Sequence, residues 1–169
     1  TAACGDDHAT TDDGTTPGPT PPPPPAGPAL AVLTVIATPA PRGPGDVVDL
    51  TYIVRNRGQT ASGPFAVDAY LCPARRPKIG DLWLGRAAEP MELAAGASAA
   101  GRIEDLVIPD DLLPGYWLTG IIVNVDHKTA DTFPLNDAGS ALPGFRVERE
   151  PLVISPGDSV RGEVGPYGQ

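Results

Sequence analysis

The clearest structural signal in this 169-residue chain is the segment Gly45-Asp46-Val47-Val48-Asp49-Leu50-Thr51-Tyr52-Ile53-Val54-Arg55-Asn56-Arg57-Gly58. One side of a strand here would carry Val48, Leu50, Tyr52 and Val54, and the other side Val47, Asp49, Thr51, Ile53 and Arg55. This period of two is typical of a strand that is buried on one face only. The Asn56-Arg57-Gly58 sequence at its end predicts a turn.

Short apolar or alternating segments, separated by Pro, Gly and Asn turns, continue through residues 30–149. We predict strands at residues 30–36, 45–55, 65–72, 82–84, 102–108, 116–125 and 144–148. The first should be an edge strand because Pro39 and Pro41 follow it, and the apolar 116–125 strand should lie at the centre of its sheet. The sequence therefore predicts an all-β antiparallel sandwich of about seven to nine strands.

Side-chain alternation also predicts which residues form the core. In the 65–72 strand, Phe65, Val67, Ala69 and Leu71 should face inward, and Asp68, Tyr70 and Cys72 should face outward. We expect buried side chains at Tyr52, Val54, Val67, Leu71, Ile121 and Val123, and at one of Tyr116 and Trp117.

Residues 1–29 are a low-complexity arm rich in Thr, Asp and Pro, and we expect no core contribution from them. The stretch Pro17-Gly18-Pro19-Thr20-Pro21-Pro22-Pro23-Pro24-Pro25 should be extended, because proline fixes φ and removes a donor. Up to Pro28 it would form a semi-rigid spacer of roughly 37 Å. It is either a tether, whose deletion through residue 28 should leave stability unchanged, or an arm that docks on a neighbouring subunit. Residues 150–169 form a tail that could add a short edge strand.

The net charge of −9 is unevenly distributed along the chain. The arm carries Asp6, Asp7, Asp12 and Asp13 and no Lys or Arg. An acidic chain of this kind argues against nucleic acid as a partner, because phosphate binding needs a basic stripe. No apolar run approaches the roughly 18 residues needed to span a bilayer, so we expect membrane contact only through a lipid anchor.

The cysteines, Cys4 and Cys72, are too few for a disulfide framework and lack metal-ligand spacing. The sequence Thr1-Ala2-Ala3-Cys4-Gly5-Asp6-Asp7 resembles a bacterial lipoprotein box followed by a polar tether, which would make Cys4 a lipid-attachment residue. Two alternatives stay open: a free Cys4 thiol, and a disulfide between Cys4 and Cys72 formed by a folded-back arm.

The sequence does not predict a catalytic site. A His-dependent triad would have to use His127, since His8 lies in the arm, with Asp126 or Asp131 and one of the serines. No serine lies in a nucleophile-elbow sequence. The chain also has no paired-carboxylate signature, phosphate-binding glycine loop or Cys/His cluster. We therefore predict that the protein is not an enzyme.

A family resemblance extends over most of residues 30–149. The matching segments are Gly45-Asp46-Val47, Tyr52 through Gly58, Tyr70-Leu71, Gly80-Asp81, Leu84-Gly85, Leu93-Ala94-Ala95-Gly96-Ala97-Ser98, Ile108-Pro109 and Leu113-Pro114-Gly115-Tyr116-Trp117-Leu118. In strand order, turns and spacing they resemble the CARDB domain, the cell-adhesion-related domain found in bacteria. The resemblance implies an immunoglobulin-like sandwich on an exported protein, extracellular or attached to the cell envelope. It implies no particular ligand, because one scaffold carries many unrelated binding roles.

The family usually has an Asp-led run of Asn and Glu residues after the long strand. Here the run is Val125-Asp126-His127-Lys128-Thr129-Ala130-Asp131-Thr132-Phe133-Pro134-Leu135-Asn136-Asp137. The candidate Ca²⁺ ligands in it are Asp126, Asp131, Asn136 and Asp137. Ca²⁺ takes six to eight oxygen ligands, whereas Phe133 and Leu135 stand where polar side chains are expected. The alternative is an Asx-rich loop whose side chains satisfy their own turn, and we expect no other cofactor.

A second departure from the family is the basic loop Cys72-Pro73-Ala74-Arg75-Arg76-Pro77-Lys78. Arg75, Arg76 and Lys78 are either solvated surface charge or candidate docking residues for an acidic site on a partner.

Together these observations favour a non-catalytic module for adhesion, binding or spacing, displayed on a Pro-rich tether outside the cell. Its partner would be a protein or a cell-surface polymer. The alternative is a structural subunit of an extracellular filament that self-associates, either by docking of the N-terminal arm or by β-strand addition at the 30–36 edge.

Overall fold

A computed structural model describes residues 23–132 and 134–148. The described strands are β1 Leu30–Thr38, β2 Val47–Asn56, β3 Pro64–Phe65, β4 Val67–Cys72, β5 Leu82–Arg86, β6 Met91–Glu92, β7 Ser98–Val107, β8 Gly115–Val123, β9 Ala138–Ser140 and β10 Phe145–Val147. One turn of 3-10 helix, Pro134–Asn136, precedes β9. In the described ranges no helix is long and apolar enough to cross a membrane.

Two antiparallel sheets form an immunoglobulin-like sandwich, which confirms the predicted fold class. One sheet has the strand order β1-β2-β7, and the other has the order β10-β8-β4-β5 with β9 also paired to β8. A small third pair joins β3 to β6. The position of β1 at an edge and of β8 inside its sheet agrees with the sequence prediction. The predicted 65–72 strand is divided at Ala66 into β3 and β4. The two strands that were not predicted, β6 and β9, are too short to show a periodic pattern.

Strand β2 has the predicted alternation along its whole length. Val48, Leu50, Tyr52 and Val54 are buried, and Val47, Thr51, Ile53 and Arg55 are exposed. They pack with residues of the opposite sheet, including Val67, Leu71, Ile121 and Val123, in one continuous core. Gly101 lies opposite Tyr52, and a Cβ at that glycine would stand 2.5 Å from the tyrosine ring. Glycine is therefore needed at this position so that the ring can lie across β7.

Trp117, not Tyr116, is the aromatic residue of β8 that contacts the core. Trp117 is half-buried and packs against the core cluster, and its indole Nε1 donates to the Leu113 carbonyl oxygen at 3.0 Å. Tyr116 is exposed. The strand ends two residues earlier than predicted because Asn124 adopts a left-handed φ of 56°.

The outward prediction for Asp68, Tyr70 and Cys72 is wrong as a statement about exposure, because every residue of β4 is buried. The basic loop folds back over the outer face of this sheet, where Pro77 lies against Gly120. The Cys72 thiol is fully buried outside the core between the sheets, and its Sγ lies 3.0 Å from the Ala74 carbonyl oxygen. Burial raises the pKa of this thiol.

Asp68 remains buried on this outer face because a cation covers it. Its two carboxylate oxygens accept hydrogen bonds from Arg86 Nε at 2.5 Å and from Arg86 Nη2 at 2.8 Å. Bidentate pairing of this kind compensates a carboxylate for its lost hydration. Arg86 itself is about half exposed, so the pair closes the edge of the sheet at β5.

Candidate functional site: the arm junction

The end of the Pro-rich arm is hydrogen-bonded to the sandwich. Gln59 Nε2 donates to the Pro24 carbonyl oxygen at 2.7 Å, and the Gln59 backbone N–H donates to the Pro25 carbonyl oxygen at 3.1 Å. On the other side of the chain, Thr132 donates to the Pro28 carbonyl oxygen from both its backbone N–H, at 3.0 Å, and its Oγ1, at 2.9 Å. Proline lacks an N–H donor, but its carbonyl remains an acceptor, and these contacts use it.

Asn56, the last residue of β2, holds the point where the arm enters the sandwich. Its Oδ1 accepts hydrogen bonds from the backbone N–H groups of Ala29, at 3.1 Å, and Gly58, at 3.0 Å. Its Nδ2 reaches the carbonyl oxygens of Thr60, at 2.7 Å, and Leu93, at 3.2 Å. The side chain is fully buried, so one amide joins the arm, the turn after β2 and the loop after β6.

A second buried polar group continues from this junction to the loop after β8. The Ser62 Oγ accepts from the Leu93 N–H at 2.9 Å, and the Ser62 carbonyl oxygen accepts from Thr129 Oγ1 at 2.9 Å. Thr129 is in turn paired with Asn124, whose Oδ1 and Nδ2 both bond its backbone at 2.9 Å. Buried, satisfied polar networks of this kind fix the relative positions of the loops that they join.

The expectation that residues 1–29 contribute nothing to a core is wrong for the last of them. Ala29 is buried, and its carbonyl oxygen accepts from the Arg57 N–H at 2.7 Å. Gly58 lies so close to the arm that a Cβ there would come within 2.7 Å of the Ala29 nitrogen and Pro28 Cα. The sequence Asn56-Arg57-Gly58 predicted a turn, but it gave no sign that the end of the arm packs against that turn.

Among the candidate Ca²⁺ ligands, Asp126, Asp131 and Asp137 do not form one group of three. Asp126 pairs with Lys128, whose Nζ lies 3.0 Å from Asp126 Oδ2. Asp131 accepts the Leu30 N–H at 2.9 Å through Oδ2 and also contacts the Asp137 carboxyl group. Within residues 23–132 and 134–148, no three His, Cys, Asp or Glu side chains are grouped to hold a metal ion.

Asp137 has a pKa far above the usual range of a carboxyl group. Burial and the neighbouring Asp131 carboxylate raise its pKa to about 7. Its Oδ1 has no hydrogen-bond partner. Burial without compensating donors disfavours the charged form of a carboxylate, which explains the direction of the shift. Asp137 therefore favours its protonated form below about pH 7.

The basic loop approaches this acidic pair. Arg76 Nη2 lies 3.4 Å from the Pro134 carbonyl oxygen, and the positive charge of Arg76 acts to lower the Asp137 pKa. Arg76, Lys78, His127 and Asp137 line a recess of about 150 Å³. Arg75, Arg76 and Lys78, the predicted docking set, all have exposed side chains.

The described serines do not form a catalytic arrangement with His127. Ser62 is held by Leu93 and donates to the Gly63 carbonyl oxygen at 2.7 Å, and Ser140 lies beside the Cys72 thiol. His127 is exposed in the loop after β8. Cys4, the lipid-attachment candidate, lies outside the described residues, as do most of the Pro-rich arm and the tail.

No family model and no curated protein matches the chain. A solved structure does: the crystal structure of the CARDB domain of the PF1109 protein in complex with di-metal ions, from Pyrococcus furiosus. It is 12% identical, covers 73% of this chain and 90% of that domain, and has a TM-score of 0.50. The sandwich is a CARDB-like domain. At this identity the likeness shows the fold alone.

Two further solved structures are similar to the chain. The solution structure of the same Pyrococcus furiosus CARDB domain is 13% identical and covers 73% of this chain and 97% of that one, with a TM-score of 0.45. An alkylpurine DNA glycosylase, AlkC of Pseudomonas fluorescens, bound to DNA containing an abasic site analog, is 16% identical with a TM-score of 0.42. The match covers 70% of this chain but only 30% of the glycosylase.

Proposed function

We propose that the protein is a non-catalytic display module, in which a CARDB-like sandwich is held away from the cell surface by its Pro-rich arm. The observation that carries the proposal is the arm junction. A passive linker needs no side chain of the domain, yet Gln59, Thr132 and Asn56 hold successive residues of the segment from Pro24 to Ala29. A stiff spacer with a fixed base transmits orientation as well as distance.

Composition supports an exported location for this module. The arm is acidic and proline-rich, and the sequence around Cys4 resembles a lipid-attachment site. A lipid at Cys4 would place the spacer between the membrane and the sandwich, which is where a stalk acts. A single acyl chain gives weak, reversible binding to a membrane, whereas multiple chains anchor stably.

Labelling of intact cells that produce the native protein tests this location. Lys78 and Lys128 are exposed, so a membrane-impermeant amine reagent should modify both side chains from outside, as read by mass spectrometry of the digested protein. A cytoplasmic protein serves as the unlabelled control. Modification of the two lysines only after cell lysis would contradict the proposal.

A further inference from the structure

The outer face of the five-stranded sheet carries a row of residues that strand register aligns. Tyr70 on β4 lies opposite Trp83 on β5 and opposite Gly120 on β8. Trp83 is 57% exposed, while Tyr70 beside it is buried. An exposed Trp next to a buried aromatic residue offers a large rigid contact area that costs little conformational entropy on binding.

The basic loop forms the other side of this row. Pro77 lies over Gly120, where a Cβ would be 3.0 Å from Pro77 Cγ. Beyond it the chain turns tightly, because the Lys78 N–H donates to Asp81 Oδ2 at 2.9 Å and the Asp81 N–H donates to the Lys78 carbonyl oxygen at 3.1 Å. Ile79, in that turn, is 64% exposed. We name the Trp83 surface by its exposed residues Arg75, Arg76, Lys78, Ile79 and Trp83.

The Trp83 surface combines exposed aromatic and aliphatic side chains with the three exposed cations of the basic loop. Polyproline segments dock on exposed aromatic side chains, and they lose little entropy because they are already extended. Acidic residues complement a basic loop. Within this chain both features occur together in the arm, where Asp12 and Asp13 precede the proline run that begins at Pro17. The arm has four acidic residues, Asp6, Asp7, Asp12 and Asp13, and no Lys or Arg.

We propose that the Trp83 surface binds the arm, residues 6–22, of a second copy of this chain. The arm of the same copy is a poor occupant, because its base is held at Gln59 and Thr132. The proline run on the N-terminal side of that base resists the sharp bend that would bring the arm back to its own Trp83 surface. One arm and one surface per copy give a head-to-tail contact, which builds open chains unless the rotation closes a ring. This self-association goes beyond the proposed display function. A protein that does not self-associate would still be labelled at the cell surface, so the two proposals can fail separately.

Tryptophan emission and mass test the contact on the full chain. The chain's tryptophans are Trp83 and Trp117, so a Trp117→Phe variant leaves Trp83 as the reporter. With rising protein concentration, light scattering should show increasing mass while Trp83 emission shifts to shorter wavelength. A synthetic peptide of residues 1–22, added in excess, should lower the mass by competing for the surface.

Charge variants show whether this surface is responsible. The double variant Arg75→Glu with Lys78→Glu should weaken association about tenfold or more, as loss of complementary charge does. The double variant Arg42→Glu with Arg55→Glu makes the same charge change at exposed sites elsewhere and should associate like the parent. Replacing the four arm aspartates by Lys should restore association in a mixture with the first variant. Circular dichroism checks that each variant is folded.

Three results would overturn the proposal. The protein could stay monomeric at all concentrations with unchanged Trp83 emission. The emission shift could be independent of concentration, which would mean that each copy binds its own arm. Association could proceed equally in the Arg75 and Lys78 double variant and in its control.

Discussion

The buried Asn56 side chain accepts a hydrogen bond from the backbone of Ala29 at 3.1 Å, across 27 positions of the sequence. This contact joins the last strand residue of β2 to the segment that leads out of the sandwich into the Pro-rich arm. The same Asn56 amide also donates to backbone carbonyl groups after β2 and after β6, so Asn56 joins the arm to two loops of the sandwich.

Replacement of Asn56 by Ala should lower the free energy of unfolding by about 2–5 kcal/mol, because buried backbone donors and acceptors would lose their partner. Urea denaturation measures the change. Gln59→Ala is the matched control, since the Gln59 side chain is exposed and makes a single hydrogen bond to Pro24; it should cost at most about 1 kcal/mol. Equal effects of the two substitutions would show that Asn56 does not hold the junction.

Truncation should distinguish the outer arm from its base. Deleting residues 1–22 should leave the denaturation midpoint unchanged, whereas deleting residues 1–28 should lower stability by about 1–3 kcal/mol through lost hydrogen bonds to Pro24, Pro25 and Pro28. This corrects the expectation that removal through residue 28 is neutral. Identical stability of the two truncated chains would contradict the described contacts.

Stability should fall as pH rises through the range set by Asp137. Its pKa is raised from 3.8 to about 7 in the folded protein, so the unfolded chain loses this proton near pH 4 while the folded chain keeps it until about pH 7. The associated stability is full below pH 4 and is lost by about pH 7, at most about 4 kcal/mol in total.

The Asp137→Asn variant isolates that effect, since the amide cannot ionise. At pH 8 it should be more stable than the parent by roughly 1–4 kcal/mol, and its stability should depend less on pH between 4 and 7. Asp126→Asn is the control, because Lys128 lowers the Asp126 pKa and the pair is near the surface. A less stable Asp137→Asn protein at pH 8 would show that the Asp137 charge is compensated.

Core truncation tests the assignment of strand faces. Val54→Ala or Ile121→Ala should lower the free energy of unfolding by about 1–4 kcal/mol, because each removes fully buried methyl groups and leaves a cavity. Ile36→Ala, on the exposed face of β1, should change it by less than about 1 kcal/mol. An unchanged midpoint for both buried variants would mean that the faces are assigned wrongly.

The fold could be predicted because alternation in β2 is a local property of the sequence. The alternation alone places Val48, Leu50 and Tyr52 on the buried face, without knowledge of which segment packs against them. The burial of Cys72 could not be predicted in this way. Its side of β4 is covered by a loop that folds back onto Gly120, and the alternation of side chains within β4 carries no information about that loop.

The arm junction could not be predicted because its acceptors are backbone carbonyl groups. A proline-rich sequence such as that around Pro24 and Pro25 shows no apolar periodicity, and composition gives no sign that Gln59 or Thr132 lies opposite. The loop after β8 posed the same difficulty. Its sequence gives no sign that Asp131 and Thr132 are hydrogen-bonded to the backbone at the start of β1 and just before it.

The distance distribution between the arm and the sandwich tests most directly whether the base of the arm is fixed. Spin labels on Thr20→Cys and Ser98→Cys, with Cys4→Ser and Cys72→Ala removing the native thiols, report it by pulsed electron paramagnetic resonance on the full chain. At a concentration where light scattering shows a monomer, we expect a narrow distribution that broadens when Gln59→Ala and Thr132→Ala are combined, since those residues hold the base of the arm. A broad distribution that is the same in the parent and in the double variant would contradict a clamped stalk.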